Sequence, residues 1–345
     1  MSKLRLVLIT TTINVPDVLE LYAQYSDSVQ IIVTGDIKSP HDKIRKLADR
    51  LGDFTYLDVE TQRGRGYRCS DLIGWNSIQR RNIALLEAIA RKPDVIITID
   101  DDNYPVNANF FRDFEELFTK DFNGLAAKTD SEWFNACALL DEDLYHRGFP
   151  YDRRNTANEL ELAPVCNAKI GIAAGLWLGD PDIDAATRLV NGPSFMSLSD
   201  LAKNGVVVSP GIKTVVNSQN TAYRSEIAPL MMVWSGIGRY DDIWASYAAK
   251  RILRDQDWHV HFGHPFVWQQ RNVQNIQRNL QDEVFGMEYT PRFIQDLDAM
   301  DIRGVSNVDK LRSMFQQLGK AEYMPPQTIE AGLAWCEDVY DVLNR

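Results

Sequence analysis

Five β-favouring residues, four of them apolar, Val95–Ile99 (VIITI), run straight into three aspartates, Asp100, Asp101 and Asp102, and this junction restricts the fold more than any other feature of the chain. An apolar, β-rich run this short and without polar alternation predicts a strand buried on both faces. Similar runs occur at Leu4–Thr10, Val29–Gly35 and Phe54–Val59, and Pro93–Ile99 is the most strand-like of them. The stretches between them, Val15–Tyr25, His41–Leu51 and Asn76–Ala90, have helical spacing. Strands alternating with helices at this spacing imply an α/β fold, a mostly parallel sheet with helices on both faces, where ligands collect at the carboxyl ends of the strands. The polar strand ends are Thr10 to Thr12, Asp36 and the aspartate triplet, so chemistry is expected there. Gln62–Tyr67 (QRGRGY) reads as a loop because packed elements do not tolerate such glycines. The chain is irregular from Glu132 to Pro210, helical again over Tyr240–Leu253, and mostly helical from Val284 to Arg345. This predicts a catalytic domain over residues 1–280 and a C-terminal helical extension over 281–345.

Three adjacent carboxylates repel one another unless a cation or a set of donors compensates them. Hard divalent ions take carboxylate oxygens and share their remaining coordination with substrate phosphates. A strand ending in DxD is how many glycosyltransferases of the GT-A fold hold Mn²⁺ or Mg²⁺ against a nucleotide diphosphate. The bland alternative is a solvated acidic turn. Charge narrows the partners further: 48 acidic against 37 basic residues give a net charge of -11, the wrong field for nucleic acid or an anionic membrane. Cys69, Cys137, Cys166 and Cys336 are far apart with no CxxC pair, which argues against a disulfide framework and for a reducing compartment. No apolar stretch reaches 18 residues, so no transmembrane segment is expected and a cytoplasmic setting is the default.

Four further segments stand in a fixed order: IDDDNYP at Ile99–Pro105, RGFP at Arg147–Pro150, GLWLGDPDIDAATRL at Gly175–Leu189 and GRYDDIWAS at Gly238–Ser246. Together they resemble the reversibly glycosylated polypeptides of plants, the UDP-arabinopyranose mutase family. Its members carry a similar IDDDC strand end, RGYP, GLWL-(x)₂-PD-x-DA and GRYDD-x-WA in that order. Asn217–Thr221 (NSQNT) with Asp242–Tyr247 also resembles the STELLO glycosyltransferase-like proteins. The likeness covers Leu4 to Asn272 and implies a GT-A fold, a UDP-sugar and a divalent metal. Carried over by position, Asp100, Asp101 and Asp102 become metal and nucleotide-ribose ligands. Arg147 matches the RGYP arginine, needed in that family for reversible self-glycosylation and mutase activity, and Arg154 matches a second arginine nearby. The chain departs from the family at Trp268-Gln269, where a Trp-His pair is usual, and at Asn103, where a Cys follows the triplet.

The residues add their own candidates. Arg80 or Arg81, in the helix before the triplet, offers a planar guanidinium suited to bidentate diphosphate binding; Arg81 is assigned to the donor, with Thr10, Asp36, Asp100, Asp101 and Arg154. Arg63 and Arg65 sit in the QRGRGY segment and could close over phosphates. Asp241 and Asp242 open an amphipathic helix, where a carboxylate is either a cap or a general base towards an acceptor. Asp180, Asp182 and Asp184 alternate in a loop, either lining a sugar pocket or serving a turn. His259, His261 and His264 form HVHFGH, and His264, before a proline, is the predicted third metal ligand beside Asp100 and Asp102.

The expected function is a metal-dependent glycosyltransferase that moves a sugar from an activated, UDP-linked donor to a saccharide or other acceptor, in glycan or polysaccharide synthesis. The catalytic set is Asp241, Asp242 and Arg147, and a homo-oligomer is possible. The alternative is a UDP-sugar pyranose/furanose mutase with self-glycosylation at an arginine. A non-catalytic nucleotide-sugar-binding scaffold is the second alternative. A dinucleotide-dependent oxidoreductase is disfavoured because TTTINVP, not GxGxxG, follows the first strand.

Overall fold

A computed structural model describes residues 3–345 except 27, 130–131, 141–143, 157–159, 192–197 and 272–273. Its centre is one eleven-stranded mixed sheet. The strands are β1 (Leu6–Thr12), β2 (Gln30–Gly35), β3 (Phe54–Leu57), β4 (Val95–Ile99), β5 (Asn103–Pro105), β6 (Phe122–Lys128), β7 (Glu161–Ala168), β8 (Ile170–Gly179), β9 (Val206–Val208), β10 (Asn220–Arg224) and β11 (His259–Gln269). Their order is β3-β2-β1-β4-β10-β8-β11-β9-β6-β7, with β5 paired to β11.

The four strands read from the sequence form a parallel block, with Val7 opposite Gln30, Leu6 opposite Val95 and Ile31 opposite Phe54. All seven residues of β1 and all five of β4 are buried, as runs without polar alternation require. β10 then runs antiparallel between β4 and β8, setting Asn220 opposite Ile99 and Thr221 opposite Ala174. This strand decides the site, because it lays the NSQNT segment beside the aspartates at the end of β4.

Two readings of local structure change. β1 continues two residues beyond Thr10 to Thr12. Thr10 is fully buried, and its hydroxyl donates to the Ile99 carbonyl at 2.8 Å, so it ties β1 to β4 and does not face the cleft as a donor-binding residue would. The segment expected as a loop, residues 62–67, is helical over its first three residues, which end the helix Val59–Gly64, and stays non-helical over residues 65–67; within the helix Gln62 points inward. Its amide donates to the carbonyls of Gly35 and Leu57 and receives the Arg80 Nε–H at 2.9 Å.

The C-terminal helices, Ile276–Ala299, Asn307–Leu318 and Pro326–Leu343, share the hydrophobic core of the sheet layer, and the boundary expected at 280 falls inside the first of them. Trp244 stacks on Phe293 with ring centroids 4.3 Å apart, and Trp234 packs on Phe315 at 4.9 Å. Asp338 reaches back to accept the Cys69 backbone N–H at 2.8 Å. No helix among the described residues is long and apolar enough to cross a membrane.

Candidate active site

A cavity of about 560 Å³ opens at the carboxyl ends of β4 and β8, and Asp100, Arg81, Arg147, Asp182, Ser218, Asp241, Asp242 and Arg271 are among its lining residues. A second, of about 290 Å³, is lined by Asn14, Asp101, Asp102, Tyr104, Gln270 and Arg271. The triplet therefore divides between two hollows, and Arg271 lines both.

Each conserved-looking motif has a local reason for its shape. In RGFP, Gly148 has a φ of 90°, and a Cβ there would sit 2.2 Å from an Ile243 methyl. Only glycine lets this loop lie against the helix Asp241–Leu253, which brings Arg147 to that helix's first turn. The loop also pairs with the PDID segment: His146 bridges Ile183, and the Arg147 N–H donates to the Asp182 carbonyl at 3.3 Å. In GRYDD, Gly238 (φ 64°) passes close to the Asp282 carbonyl, a turn that delivers Asp241 and Asp242 to the helix start.

These loops meet at Asp182. It accepts from Arg147 Nη2 at 3.1 Å, from Asn217 Nδ2 at 2.9 Å and from Arg271 Nη2 at 3.3 Å. Burial alone would raise its pKa, but Arg147 and Arg271 outweigh that and hold its carboxyl well below the usual carboxylate range. Arg147 also faces Asp242 at 3.5 Å. Burial works against its charge, yet Asp182 and Asp242 more than compensate and keep its guanidinium firmly protonated. Asp242 is held in turn by the Ser218 N–H at 3.0 Å and the Ser218 hydroxyl at 3.1 Å. Asp241 differs. It is buried beside Asp242, accepts from Gln79 Nε2 at 2.9 Å, and is pushed up to about 7 by burial first and by Asp242 second.

At the triplet, Asp100 pairs with Arg81, whose other Nη donates to the Ser218 carbonyl at 2.9 Å. Asp101 takes the Thr12 hydroxyl, and burial raises its pKa. Asp102 is left least compensated: its Oδ1 is buried without a partner, and burial together with Asp100 pushes its carboxyl to about 6. Asp102 also lines the second hollow, and a carboxylate with an uncompensated oxygen is the donor type a hard divalent ion takes.

Other expected residues lie elsewhere. His264 does not join the triplet. Its ring packs on His261 at 5.3 Å, and it is among the lining residues of neither hollow. Among the described residues no group of three or more His, Cys, Asp or Glu side chains is placed to hold a metal by itself. Asp36 is buried and accepts the backbone N–H groups of Ile37 and Ser77, so it shapes the loop beside the first cavity. Arg154 is bound to Asp184 at 2.5 Å and lies over the Tyr151 ring at 3.8 Å, outside both hollows. Arg80 is fully buried on Gln62, Ser70 and the Trp75 ring. Arg65 pairs with Glu87 and Arg63 lies over Trp75. The departures are structural in place: Asn103 Nδ2 donates to the Gln219 carbonyl at 2.9 Å, and Gln269 is buried in β11. The sequence reading passed over Gln79, Ser218 and Arg271, none of which stands out by type or spacing.

The model of the reversibly glycosylated polypeptide family matches residues 17–320, which takes in every residue of the site except Asn14. The chain belongs to that family. Among the similar proteins is UDP-arabinopyranose mutase 3 of Arabidopsis thaliana, 28% identical over 210 residues, 57% of this chain and 52% of the relative. UDP-arabinopyranose mutase 1 of Oryza sativa subsp. japonica is 27% identical over 270 residues, 73% and 69% of the two chains. The probable UDP-arabinopyranose mutase 1 of Pisum sativum is 24% identical over 354 residues, 98% and 91%. The match thus spans about half the length of the Arabidopsis relative and nearly all of the pea one.

Proposed function

We propose that the protein binds a UDP-linked sugar in the cleft and interconverts its pyranose and furanose ring forms. The observation that carries this reading is one cavity that presents Asp100, Arg147 and Asp241 together. Ring interconversion breaks the bond between the anomeric carbon and the diphosphate, exchanges which sugar hydroxyl closes the ring, and re-forms the bond. The exchange requires a proton to leave one hydroxyl and reach another. A carboxyl that keeps its proton more readily than usual is suited to that transfer, and Asp241, raised by burial and by the neighbouring Asp242, lines the cleft where the exchange would occur. Arg147, fixed between Asp182 and Asp242, presents permanent positive charge to oxygens that gain negative charge as the bond to the diphosphate breaks.

The parallel block β3-β2-β1-β4 with an acidic triplet at its end supports a GT-A arrangement of the nucleotide half, with the helices from Ile276 onward packed against it. Asp102, with Asp101 beside it in the second hollow, would hold Mn²⁺ or Mg²⁺ together with substrate phosphates. When bound, such an ion neutralises charge on the departing diphosphate. Four free cysteines suit a reducing cytoplasm.

Asp241 also favours a second reading, transfer to an external hydroxyl, because a carboxyl raised in this way serves either nucleophile. The test separates them. UDP-arabinopyranose is incubated with the protein and Mn²⁺, without acceptor, and followed by NMR. Furanose signals that vanish in Arg147→Ala are expected. A donor that survives across UDP-pentoses and UDP-hexoses until a saccharide is added would overturn the mutase reading.

A further inference from the structure

Among the described residues, Arg271 alone lines both hollows. It follows β11, and its side chain is 12% exposed. Its contacts are long: Nη2 to Asp182 Oδ1 at 3.3 Å, Nε to the Asp180 carbonyl at 3.4 Å, and Nε to Asp180 Oδ1 at 3.7 Å. It also acts on Asp102 through space, lowering its pKa against burial and Asp100. Its carboxylate partners have other donors as well. Asp182 keeps Arg147 and Asn217, both closer, on Oδ2, so only Oδ1 gives up a donor when Arg271 leaves, and Asp180 keeps Arg188. The other cleft arginines are committed more tightly: Arg81 to Asp100 and both oxygens of Ser218, Arg147 between two carboxylates.

We infer that Arg271 is an exchangeable counter-ion: in the free protein it rests on Asp182, and on binding it swings to the diphosphate of the nucleotide where the two hollows meet. This rests on the reading of the cleft as a nucleotide-sugar site. A diphosphate needs donors, and a guanidinium fork matches its oxygens in pairs. The position between Asp102 and Asp182 also sets a guanidinium where the two hollows meet, the place a bridging diphosphate would occupy. Arg271 is a positioning residue here. It places the phosphates beside Asp102, and its departure leaves Asp182 to Arg147.

Calorimetric titration in Mn²⁺ with UDP and with uridine tests the inference. Charge-assisted hydrogen bonds imply a loss of roughly 10–100-fold in UDP affinity for Arg271→Met, with uridine affinity unchanged within threefold. Arg271→Lys, which keeps the charge without the fork, should recover part of the loss, and it decides the matter if the methionine variant does not fold. Asp182→Asn supplies a readout that a merely structural role would not move. With the resting partner weakened, UDP should bind several-fold tighter, and this gain should vanish in the Arg271→Met background. UDP affinity within threefold of the starting protein in folded Arg271→Met and Arg271→Lys would overturn the contact. A gain from Asp182→Asn that persists without Arg271, or no gain, would overturn the exchange. Failure of the unsubstituted protein to bind UDP in Mn²⁺ would instead sink the nucleotide-sugar reading itself.

Discussion

The two ends of the cleft handle negative charge in opposite ways. Around Asp182 every charge has a partner within the protein: Arg147, Arg271 and Asn217 surround one carboxylate, and Ser218 and Arg147 hold Asp242. At the triplet the compensation is incomplete. Arg81 serves Asp100 and Thr12 serves Asp101, while Asp102 keeps a buried oxygen without a donor. The first arrangement is balanced before a ligand arrives: Arg147, Asn217 and Ser218 fix its geometry, and Arg271 is held by longer contacts. The second is strained by burial and repulsion and gains most from an arriving cation. Asp241 stands between them, beside the paired hub yet raised to about 7 as the triplet member Asp102 is raised to about 6.

Substitutions should therefore move stability in opposite directions at the two ends. The largest effect is expected from Arg147→Ala, which strands Asp182 and Asp242. Breaking a buried pair by removing one partner costs about 3–5 kcal/mol, measurable by urea unfolding, and ring interconversion should become undetectable. Stability within 1 kcal/mol of the starting protein would show that the hub is not a closed set of pairs.

Asp241→Asn comes next. Loss of a proton-transfer group typically slows turnover by ~10²–10⁴, with UDP affinity kept within a few-fold; a loss below tenfold would leave Asp241 as a helix-start residue only. Its pH signature is distinct. The native state holds the Asp241 proton up to about 7 whereas the ordinary value is 3.8, so between these pH values the unfolded chain binds fewer protons and stability falls as pH rises. Asp241→Asn should flatten that fall, matching the starting protein near pH 4 and exceeding it in Tm at pH 8.

Asp102→Asn should sharpen the comparison from the other side. Without divalent ion the variant should melt no lower than the starting protein at pH 8, because a crowded carboxylate raised to about 6 has been removed. Its Mn²⁺-dependent gain in UDP affinity should drop by about 100-fold, the scale at which metal sites respond to altered surroundings. UDP binding that is undiminished in EDTA would remove the metal from the account. The smallest effect is expected at His264, packed on His261 and lining neither hollow. Calorimetry of His264→Asn should find Mn²⁺-dependent UDP binding within about twofold, and a hundredfold loss would return it to the metal shell.

How much of this the sequence discloses depends on whether a residue's role is set locally. β4 and its triplet are legible because five β-favouring residues, four of them apolar, admit one environment and three adjacent acids one difficulty. Asp241 and Asp242 at a helix start are legible for the same reason. Thr10 was misplaced because nothing local says that β1 runs on to Thr12. Gln62 looks like part of a glycine-rich loop until its amide is seen bridging β2, β3 and Arg80. Asp182 could be read equally as a turn residue or a pocket residue, and only contact with Arg147, 35 positions earlier, decides it. Ser218 and Arg271 carry no signal of their own; β10 and β11 bring them to the cleft. The departures at Asn103 and Gln269 concern buried packing, a distinction no motif comparison makes.

Glu283, on the helix Ile276–Ala299, is buried and accepts from the Ala185 backbone N–H at 2.8 Å and from Arg239 at 3.1 Å. The first of these anchors the PDID loop and the second the GRYDD turn, so the C-terminal helices set the register of both walls of the cleft. Cooperativity follows. The extension and the cleft should melt in one calorimetric transition, and amides of the last helices should exchange more slowly with solvent once nucleotide is bound, although none of them touches it. A protein trimmed before this helix would lose more than a tail; it would lose the fastening that keeps two loops facing each other.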